Sequence, residues 1–459
     1  MKSKTVLLIT SLVVLVLCIF QITQDFDFII PYNIKESDQY HGLQLQKLRE
    51  SNEIYIHIYK AFCDERGYKV GNNMFSKVIG VLVLFDHSYL KEKSDVKSLL
   101  YCKYPGNDRL FKLLGTSKIT GKQRYFAENY LLCESPSGNC PEYVSIYASP
   151  LKITNFVPIE IQRTGDAFQK VGFCMSPLYN NNGTNACKLN RLIEWIEYHK
   201  AIGVNRFFFH LPPKWSLLYP SKNVTSMLDS YVADGILEYF ESPVTKSTDQ
   251  STPYQQIRFS QQLVLNACLI KNALAYKYIL LHDIDEAFLF RKDSPSAIPL
   301  FLDEFYNSSI AEYYTHYANF PTDCDKVETK KYQMKHTLID DLYITRFMLG
   351  YVNTDVLGKS IFNPLSCQAS NGHICYGVTK HKLVTRKTLD YKMVVLGHYR
   401  PHFTQHFRRM ITMNCDLLKQ QSRNRIVEMR NTNVALMQNK VVQAIASRLE
   451  LLKDHYRII

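Results

Sequence analysis

The alternation of apolar strands and amphipathic helices over residues 170–282 limits the fold more than any other feature of this sequence. Four strand-like runs, "KVGFCMS", "VNRFFFH", "ILEYFE" and "KYILLH", are separated by segments with helical spacing. In the first of these segments Leu189, Leu192 and Ile196 recur at helical spacing, and Gly203 is placed to end the helix. The alternation predicts an α/β fold with a mostly parallel sheet and helices on both faces.

A dense acidic cluster follows the last of these strands. Asp283, Asp285 and Glu286 lie within four positions in "HDIDEAF". Their mutual repulsion is costly unless water, a cation or a basic partner compensates it. Ligands of parallel sheets bind beyond the carboxyl ends of the strands, and a carboxylate pair there suits a divalent cation whose shell a diphosphate would complete. Alternatively, these acids cap the next element or pair with Arg291 and Lys292.

The N-terminus carries the pattern of a membrane anchor. Lys2 and Lys4 precede an uncharged, mostly apolar run over 5–24, which is close to the length that spans a bilayer. Basic residues before the run and acids after it predict a type II topology, with residues 1–4 in the cytoplasm. A cleaved signal peptide is the alternative. The apolar run exceeds a typical signal-peptide core, and no small-x-small cleavage site lies near its end.

Beyond the anchor, we divide the chain into four parts by composition and periodicity. The 459 residues suit one large domain or two. We expect a stem over 25–52, a β-rich region over 53–165, the α/β region over 166–410 and a helical segment over 411–459. The last segment is expected to pack on the α/β region. Its apolar residues at helical spacing are Val434, Met437, Val441 and Ile445.

Charge and cysteine content favour a secretory protein over a nucleic-acid-binding one. The net charge of +13 suits nucleic acid, a membrane surface or an anionic small substrate, but no zinc-knuckle spacing or arginine-rich block indicates nucleic acid. Twelve cysteines without a Cys-x-x-Cys pair indicate disulfides, with Cys133–Cys140 and Cys367–Cys375 as local possibilities. Acceptor sequons at Asn182, Asn223 and Asn307 fit a lumenal domain.

An ordered set of short segments resembles glycosyltransferase family 92. The segments are "IEYHKAIGVNRFFFH", "LNACL", "DIDEAF", "GKSIFNP", "NGH" and "GHYR", and the resemblance covers roughly residues 55–405. It implies a type II Golgi enzyme with a GT-A fold, whose catalytic domain would be the region over 166–410. It also implies inverting transfer of galactose from a UDP-sugar to an acceptor glycan, with Mn²⁺ at the Asp-x-Asp motif. Two departures are Ala267, where an acid is expected, and Ala287, where a larger apolar residue is usual.

The resemblance gives the acidic cluster and two histidines their expected roles. Asp285 is expected to bind the metal directly, and Asp283 through water or the nucleotide ribose. Glu286 is counted with them as catalytic, as an organiser of the loop rather than as the base. His373 in "NGH" and His398 in "GHYR" are both candidates for completing the metal shell, with a slight preference for His373.

Two further groups are expected to serve the donor and the acceptor. Lys359 and Arg400 are candidates for neutralising the diphosphate, or else are solvated surface cations. Inverting transfer also needs a carboxylate to take the acceptor's proton, and the sequence leaves this base open. Its candidates are Asp323, Asp325, Asp340 and Asp341.

The leading hypothesis is therefore a metal-dependent, membrane-anchored glycosyltransferase of the Golgi lumen, with a UDP-sugar donor, a glycan acceptor on a glycoprotein or glycolipid, and no nucleic-acid partner. The first alternative is a catalytically inactive relative that serves as a lumenal glycan-binding or scaffold protein, which the intact Asp283-x-Asp285 disfavours but the departure at Ala267 leaves open. The second alternative is a cleaved, secreted glycan-binding module.

Overall fold

The computed structural model describes only part of the chain, all of it within the second of two compact units, 1–40 and 41–459. The predicted cytoplasmic tail and anchor lie outside the described residues. No helix in the described part of the chain is both long enough and apolar enough to cross a membrane. The described residues are 44–47, 55–70, 72–86, 100–119, 126–148, 156–165, 171–178, 189–214, 216, 219–242, 253–291, 297–321, 344, 349–353, 358–378, 385–400, 426–428 and 433–456.

The described residues form a mixed α/β protein. Its strands are β1 (Gln44–Lys47), β2 (Tyr55–Asp64), β3 (Tyr68–Val70), β4 (Asn73–Phe75), β5 (Val78–Asp86), β6 (Leu100–Lys103), β7 (Phe111–Lys118), β8 (Phe126–Glu134), β9 (Tyr143–Ala148), β10 (Val157–Ile161), β11 (Val171–Met175), β12 (Val204–Leu211), β13 (Leu237–Glu241), β14 (Tyr278–His282), β15 (Glu286–Phe290), β16 (Ile310–Thr315), β17 (Tyr317–Pro321), β18 (Leu349–Asn353), β19 (Lys359–Phe362), β20 (Cys367–Ser370), β21 (Cys375–Val378), β22 (Thr385–Thr388), β23 (Val394–Arg400) and β24 (Ile426–Glu428). Its α-helices are α1 (Leu189–Ala201), α2 (Lys222–Ala233), α3 (Pro253–Lys271), α4 (Ile298–Asp303) and α5 (Asn433–Tyr456), and Pro136–Gly138 form a short 3-10 helix.

The N-terminal strands close into a barrel. The hydrogen-bonded order is β2-β10-β9-β6-β7-β8-β5, and β5 pairs back to β2, while β1 pairs with β2 alone. The interior is apolar and contains the disulfides Cys63–Cys140 and Cys102–Cys133. The expected local pair Cys133–Cys140 is therefore wrong. Cys133 on β8 points into the barrel, where it bonds to Cys102 on β6.

A seven-stranded sheet follows, in the order β13-β12-β11-β14-β19-β16-β22. Strands β11 to β14 are mutually parallel as predicted, but β19 runs antiparallel to both β14 and β16, so the sheet is mixed. Alternate residues of the parallel strands pack against different helices. Phe173 faces a core with α1 and α2, whereas Cys174 faces a core with α3 and forms a disulfide with Cys268. The prediction of helices on both faces is confirmed.

A third sheet, in the order β15-β23-β17-β18-β24, begins directly after the acidic cluster. Helix α5 packs on the core beside it, and burial of Val441 and Ile445 confirms that part of the expected helix packing. The helical interpretation is wrong for Ile426–Glu428, which form β24. Antiparallel pairing with β18 supplies these residues with backbone partners that a helix would have supplied locally.

Candidate functional site

The acidic cluster occupies a tight loop that joins the parallel sheet to the third sheet. β14 ends at His282 and β15 begins at Glu286, so the loop starts at the carboxyl end of β14 as predicted. The amide of Glu286 donates to the carbonyl of Asp283 at 3.2 Å, and the amide of Tyr399 donates to the carbonyl of Asp285 at 2.9 Å. The backbone of the loop is thereby fixed from within and from β23.

A buried lysine compensates two of the three carboxylates. The Lys359 ammonium lies 2.9 Å from Asp283 Oδ2 and 3.0 Å from Glu286 Oε2, and the residue is only 4 % exposed. Burial acts to lower the Lys359 pKa, but the two carboxylates outweigh it and hold the pKa above its usual value. The cluster thus has a basic partner that lies 76 positions from Asp283 in the sequence. Lys359 is not a solvated surface cation, and its expected contact with a diphosphate stays a prediction.

Glu286 organises the loop. Its side chain is 1 % exposed, and Oε1 accepts a hydrogen bond from the Tyr317 hydroxyl at 2.7 Å. Oε2 accepts from the Asp283 amide at 3.0 Å in addition to the Lys359 contact. Burial and the Glu286 charge hold the Tyr317 pKa well above its usual value, so the phenol stays protonated and donates to the carboxylate.

His398 faces Asp285. Its Nε2 lies 3.5 Å from Asp285 Oδ2, is buried, and has no hydrogen-bond partner among the described residues. The imidazole stacks on Tyr317 with ring centroids 5.0 Å apart, and β15–β23 pairing places His398 opposite Glu286. One ligand atom from each of Asp285, Glu286 and His398 lies within 4.8 Å of the others. Carboxylate oxygens with a neutral imidazole nitrogen fit a cation such as Mn²⁺.

His373 lies nearby but outside that group of ligand atoms. It occupies the turn between β20 and β21, where its Nδ1 lies 2.8 Å from the carbonyl of Gly358. Burial and the Lys359 charge lower the His373 pKa, so the ring is held neutral and Nδ1–H donates to the carbonyl. Of the two histidines, it is therefore His398 that lies against Asp285, while the identity of the metal ligand stays a prediction.

The remaining expected site residues lie wholly or partly outside the described part of the chain. Arg400 ends β23, but its side chain is outside the described part of the chain. The four candidate bases, Asp323, Asp325, Asp340 and Asp341, lie outside the described residues.

Two site residues escaped the sequence analysis. Gln261 Nε2 donates to Ser176 Oγ at 2.8 Å and to Asp283 Oδ1 at 3.3 Å, which orients Asp283. The position of Gln261 could have been predicted from the sequence. Helix α3 precedes β14 and must run antiparallel to it, so the N-terminal half of the helix lies near the carboxyl ends of the strands. Tyr317 gave no local signal, because its contact with Glu286 depends on the pairing of β17 with β23.

Both departures from the family pattern lie in packed apolar surroundings. Ala267 lies on α3, is 4 % exposed, and packs against barrel residues such as Leu132. Ala287 is fully buried in the core beside the third sheet. Among the described residues, neither contributes a ligand atom to the group formed with Asp285.

Comparison with known proteins identifies the domain that contains this site. No curated protein matches the chain. The sequence model of glycosyltransferase family 92 matches residues 169–441, which is more than half of the 459 residues and includes β11, the acidic loop and His398. The chain belongs to glycosyltransferase family 92.

Proposed function

We propose that the protein is an inverting hexosyltransferase of GT-A type that transfers galactose from UDP-galactose to an acceptor glycan. In this proposal Mn²⁺ is bound by Asp285 and His398, with Asp283 acting through water or the nucleotide ribose. The enzyme is anchored through residues 5–24 in the Golgi membrane with its catalytic domain in the lumen.

One observation carries the proposal. Within a glycosyltransferase family 92 domain, the buried Nε2 of His398 faces the Asp285 carboxylate at 3.5 Å and has no hydrogen-bond partner in the part of the chain that the structure describes. A buried polar atom without a partner is destabilising, so its retention beside a carboxylate fits a ligand to a cation. Glu286 is less suited to direct ligation, because Lys359, Tyr317 and the Asp283 amide already engage its oxygens.

The residues around this pair divide the chemistry between them. A divalent cation bound there supplies Lewis acidity toward the diphosphate leaving group. Lys359 holds Asp283 and Glu286 in place, and Gln261 sets the rotation of the Asp283 carboxylate. The acceptor hydroxyl attacks the anomeric carbon as the bond to the diphosphate breaks, and one of the candidate carboxylates over 323–341 takes the hydroxyl proton.

The proposed location rests on features of the sequence and the surface. The anchor pattern and the sequons predict a lumenal domain, and Asn223 and Asn307 are both exposed where a glycan would attach. N-glycan removal should speed gel migration, and protease added outside intact microsomes should leave nearly all of the chain intact. Digestion of the large C-terminal part would overturn the proposed orientation.

The test of the proposal is thermal unfolding with and without Mn²⁺ plus UDP. Mn²⁺ plus UDP should raise the unfolding temperature of the wild type by several degrees, because a ligand at 100 times its dissociation constant adds about 2.7 kcal/mol to the free energy of unfolding. Asp285→Asn should lose this gain yet unfold at a similar temperature without ligand. Asp108→Asn, the same change at an exposed barrel position, should keep the gain.

A panel of nucleotide sugars with Mn²⁺ then identifies the donor, and UDP-galactose should give the fastest transfer. A wild type that gains no stability from Mn²⁺ and UDP would refute the enzymatic proposal and favour the inactive glycan-binding or scaffold alternative.

A further inference from the structure

The hairpin formed by β20 and β21 carries His373 to the edge of the acidic cluster. Its stem is closed by the disulfide Cys367–Cys375 and by antiparallel pairing. At its turn, Asn371 Oδ1 accepts from the amides of His373 at 3.0 Å and Ile374 at 2.9 Å. The turn therefore has a defined local conformation.

Helix α3 packs against this hairpin and is hydrogen-bonded to its stem through the buried side chain of Asn266. Asn266 is fully buried, its Oδ1 accepts from the Ser370 amide at 2.8 Å, and its Nδ2 donates to the Ser370 carbonyl at 2.7 Å. The side-chain amide pairs with both backbone groups of Ser370, as a neighbouring strand would do. Nδ2 also donates to the carbonyl of Gln262 within the helix at 2.7 Å.

The hairpin is held from two other directions as well. Arg66 of the barrel donates to the carbonyls of Pro364 at 3.0 Å and Gln368 at 3.1 Å. Glu312 of β16 accepts from the Cys375 amide at 2.8 Å. Each anchor comes from a different part of the fold, which indicates that the position of the whole hairpin is fixed, and not only its shape.

The turn of the hairpin, which contains His373, is hydrogen-bonded to the segment that carries Lys359. The Ser360 hydroxyl donates to the His373 carbonyl at 2.8 Å, and His373 Nδ1–H donates to the Gly358 carbonyl at 2.8 Å. Gly358 directly precedes Lys359, whose ammonium contacts Asp283 and Glu286. The turn thus contacts the start of β19 on both sides of Lys359.

We infer that Asn266 is a positioning residue, which fixes the β20–β21 hairpin so that His373 holds the Gly358–Lys359 segment against the acidic cluster. The catalytic part of this inference rests on the proposed function. Asn266 touches none of the expected ligand groups, so its effect on transfer passes through the hairpin.

Asn272 offers a matched control on the same stretch of chain. It is 2 % exposed, and its Nδ2 donates to the carbonyl of Cys268, four residues earlier, just as Asn266 donates to Gln262. Asn266 alone of the two pairs with the hairpin. Asn266 lies within α3 and Asn272 directly follows it, so replacement of each by alanine removes a side-chain bond to the carbonyl four residues earlier, but only Asn266→Ala also removes the two bonds to Ser370.

The test combines hydrogen-exchange mass spectrometry with transfer kinetics on the full chain. In Asn266→Ala, amide exchange over 370–375 and 358–362 should accelerate at least about tenfold, because two buried hydrogen bonds are lost. The kcat should fall by about 10- to 100-fold through misplacement, with the donor KM changed less than about threefold. Asn272→Ala should leave local exchange and kcat within about twofold of wild type.

Three results would overturn the inference. They are unchanged exchange over both segments in Asn266→Ala, equal loosening in Asn272→Ala, and loosened segments with wild-type kcat. If Asn266→Ala does not fold, the double variant Cys367→Ala/Cys375→Ala takes its place. It should show the same faster amide exchange over both segments and the same loss of kcat. A double variant without these changes would also overturn the inference. A wild type without transfer activity would refute the proposed function, while exchange over 358–362 still decides the positioning claim.

Discussion

Replacing Lys359 by methionine tests the electrostatics of the acidic cluster. The change keeps most of the apolar stem but removes the ammonium that lies 2.9 Å from Asp283 and 3.0 Å from Glu286. Removing one partner of a buried ion pair costs about 3–5 kcal/mol, because a buried charge is left uncompensated. Glu286 is 1 % exposed and bears that cost, whereas the Asp283 side chain is 28 % exposed and regains hydration. We therefore expect a loss near the lower limit, about 3 kcal/mol at pH 7.5.

The pH dependence of this loss follows from the direction of the Lys359 pKa shift. The folded-state pKa is raised, so the ammonium stabilises the wild type fully below its unfolded pKa of about 10.4 and is lost only as the pH rises through the folded value. The Lys359 ammonium thus stays charged at both pH 7.5 and pH 9. The deficit of the variant should therefore be the same at pH 7.5 and pH 9, and it should shrink only as the pH rises through the folded pKa of Lys359.

The assay is urea unfolding followed by tryptophan fluorescence. Trp195 is a direct probe, since its indole N–H donates to the Glu286 carbonyl at 2.9 Å. Lys77→Met is the matched control, because the Lys77–Glu65 pair has side chains 35 % and 33 % exposed and its loss should cost under about 1 kcal/mol. A Lys359→Met deficit below about 1 kcal/mol at pH 7.5, or one that has already disappeared at pH 9, would refute the reasoning.

Three further predictions concern single contacts. Tyr317→Phe removes the hydroxyl that donates to Glu286 and should lower the free energy of unfolding by about 1.5–3 kcal/mol in the same urea assay. Tyr59→Phe is the control and should be nearly neutral, because the Tyr59 hydroxyl has no hydrogen-bond partner among the described residues. Asp64 is fully buried against Arg66, which helps hold the Asp64 pKa below its usual value. The stability from this pair is therefore present above about pH 4 and is lost on acidification. In Asp64→Asn this contribution to the acid sensitivity should be missing from melting curves recorded at several pH values. Peptide mapping without reductant should recover Cys102–Cys133, and a peptide joining Cys133 to Cys140 would contradict the barrel.

The local features of the fold were accessible from the sequence, because each depends on residues close together in the chain. Periodicity predicted α1 and its end near Gly203, and an apolar run predicted β14 with the acidic loop after it. The disulfide Cys367–Cys375 was accessible for the same reason, since eight positions separate its cysteines.

The remaining features depend on strand pairing between distant segments. The Lys359 contacts require β19 to pair antiparallel with β14, and the choice of His398 over His373 requires the β15–β23 register. Closure of the barrel likewise requires β5 to pair back to β2. No local pattern specifies these registers, because each is set by tertiary packing.

The most direct test of the account is electron spin-echo spectroscopy of Mn²⁺ bound to the protein in the presence of UDP. An imidazole ligand couples its ¹⁴N nucleus to the manganese spin, so the wild-type complex should show nitrogen modulation. The modulation should disappear in His398→Gln and persist in His373→Gln, since of these two histidines it is His398 whose Nε2 faces Asp285, at 3.5 Å. Absence of nitrogen modulation in the wild type, or its persistence in His398→Gln, would contradict the proposed site.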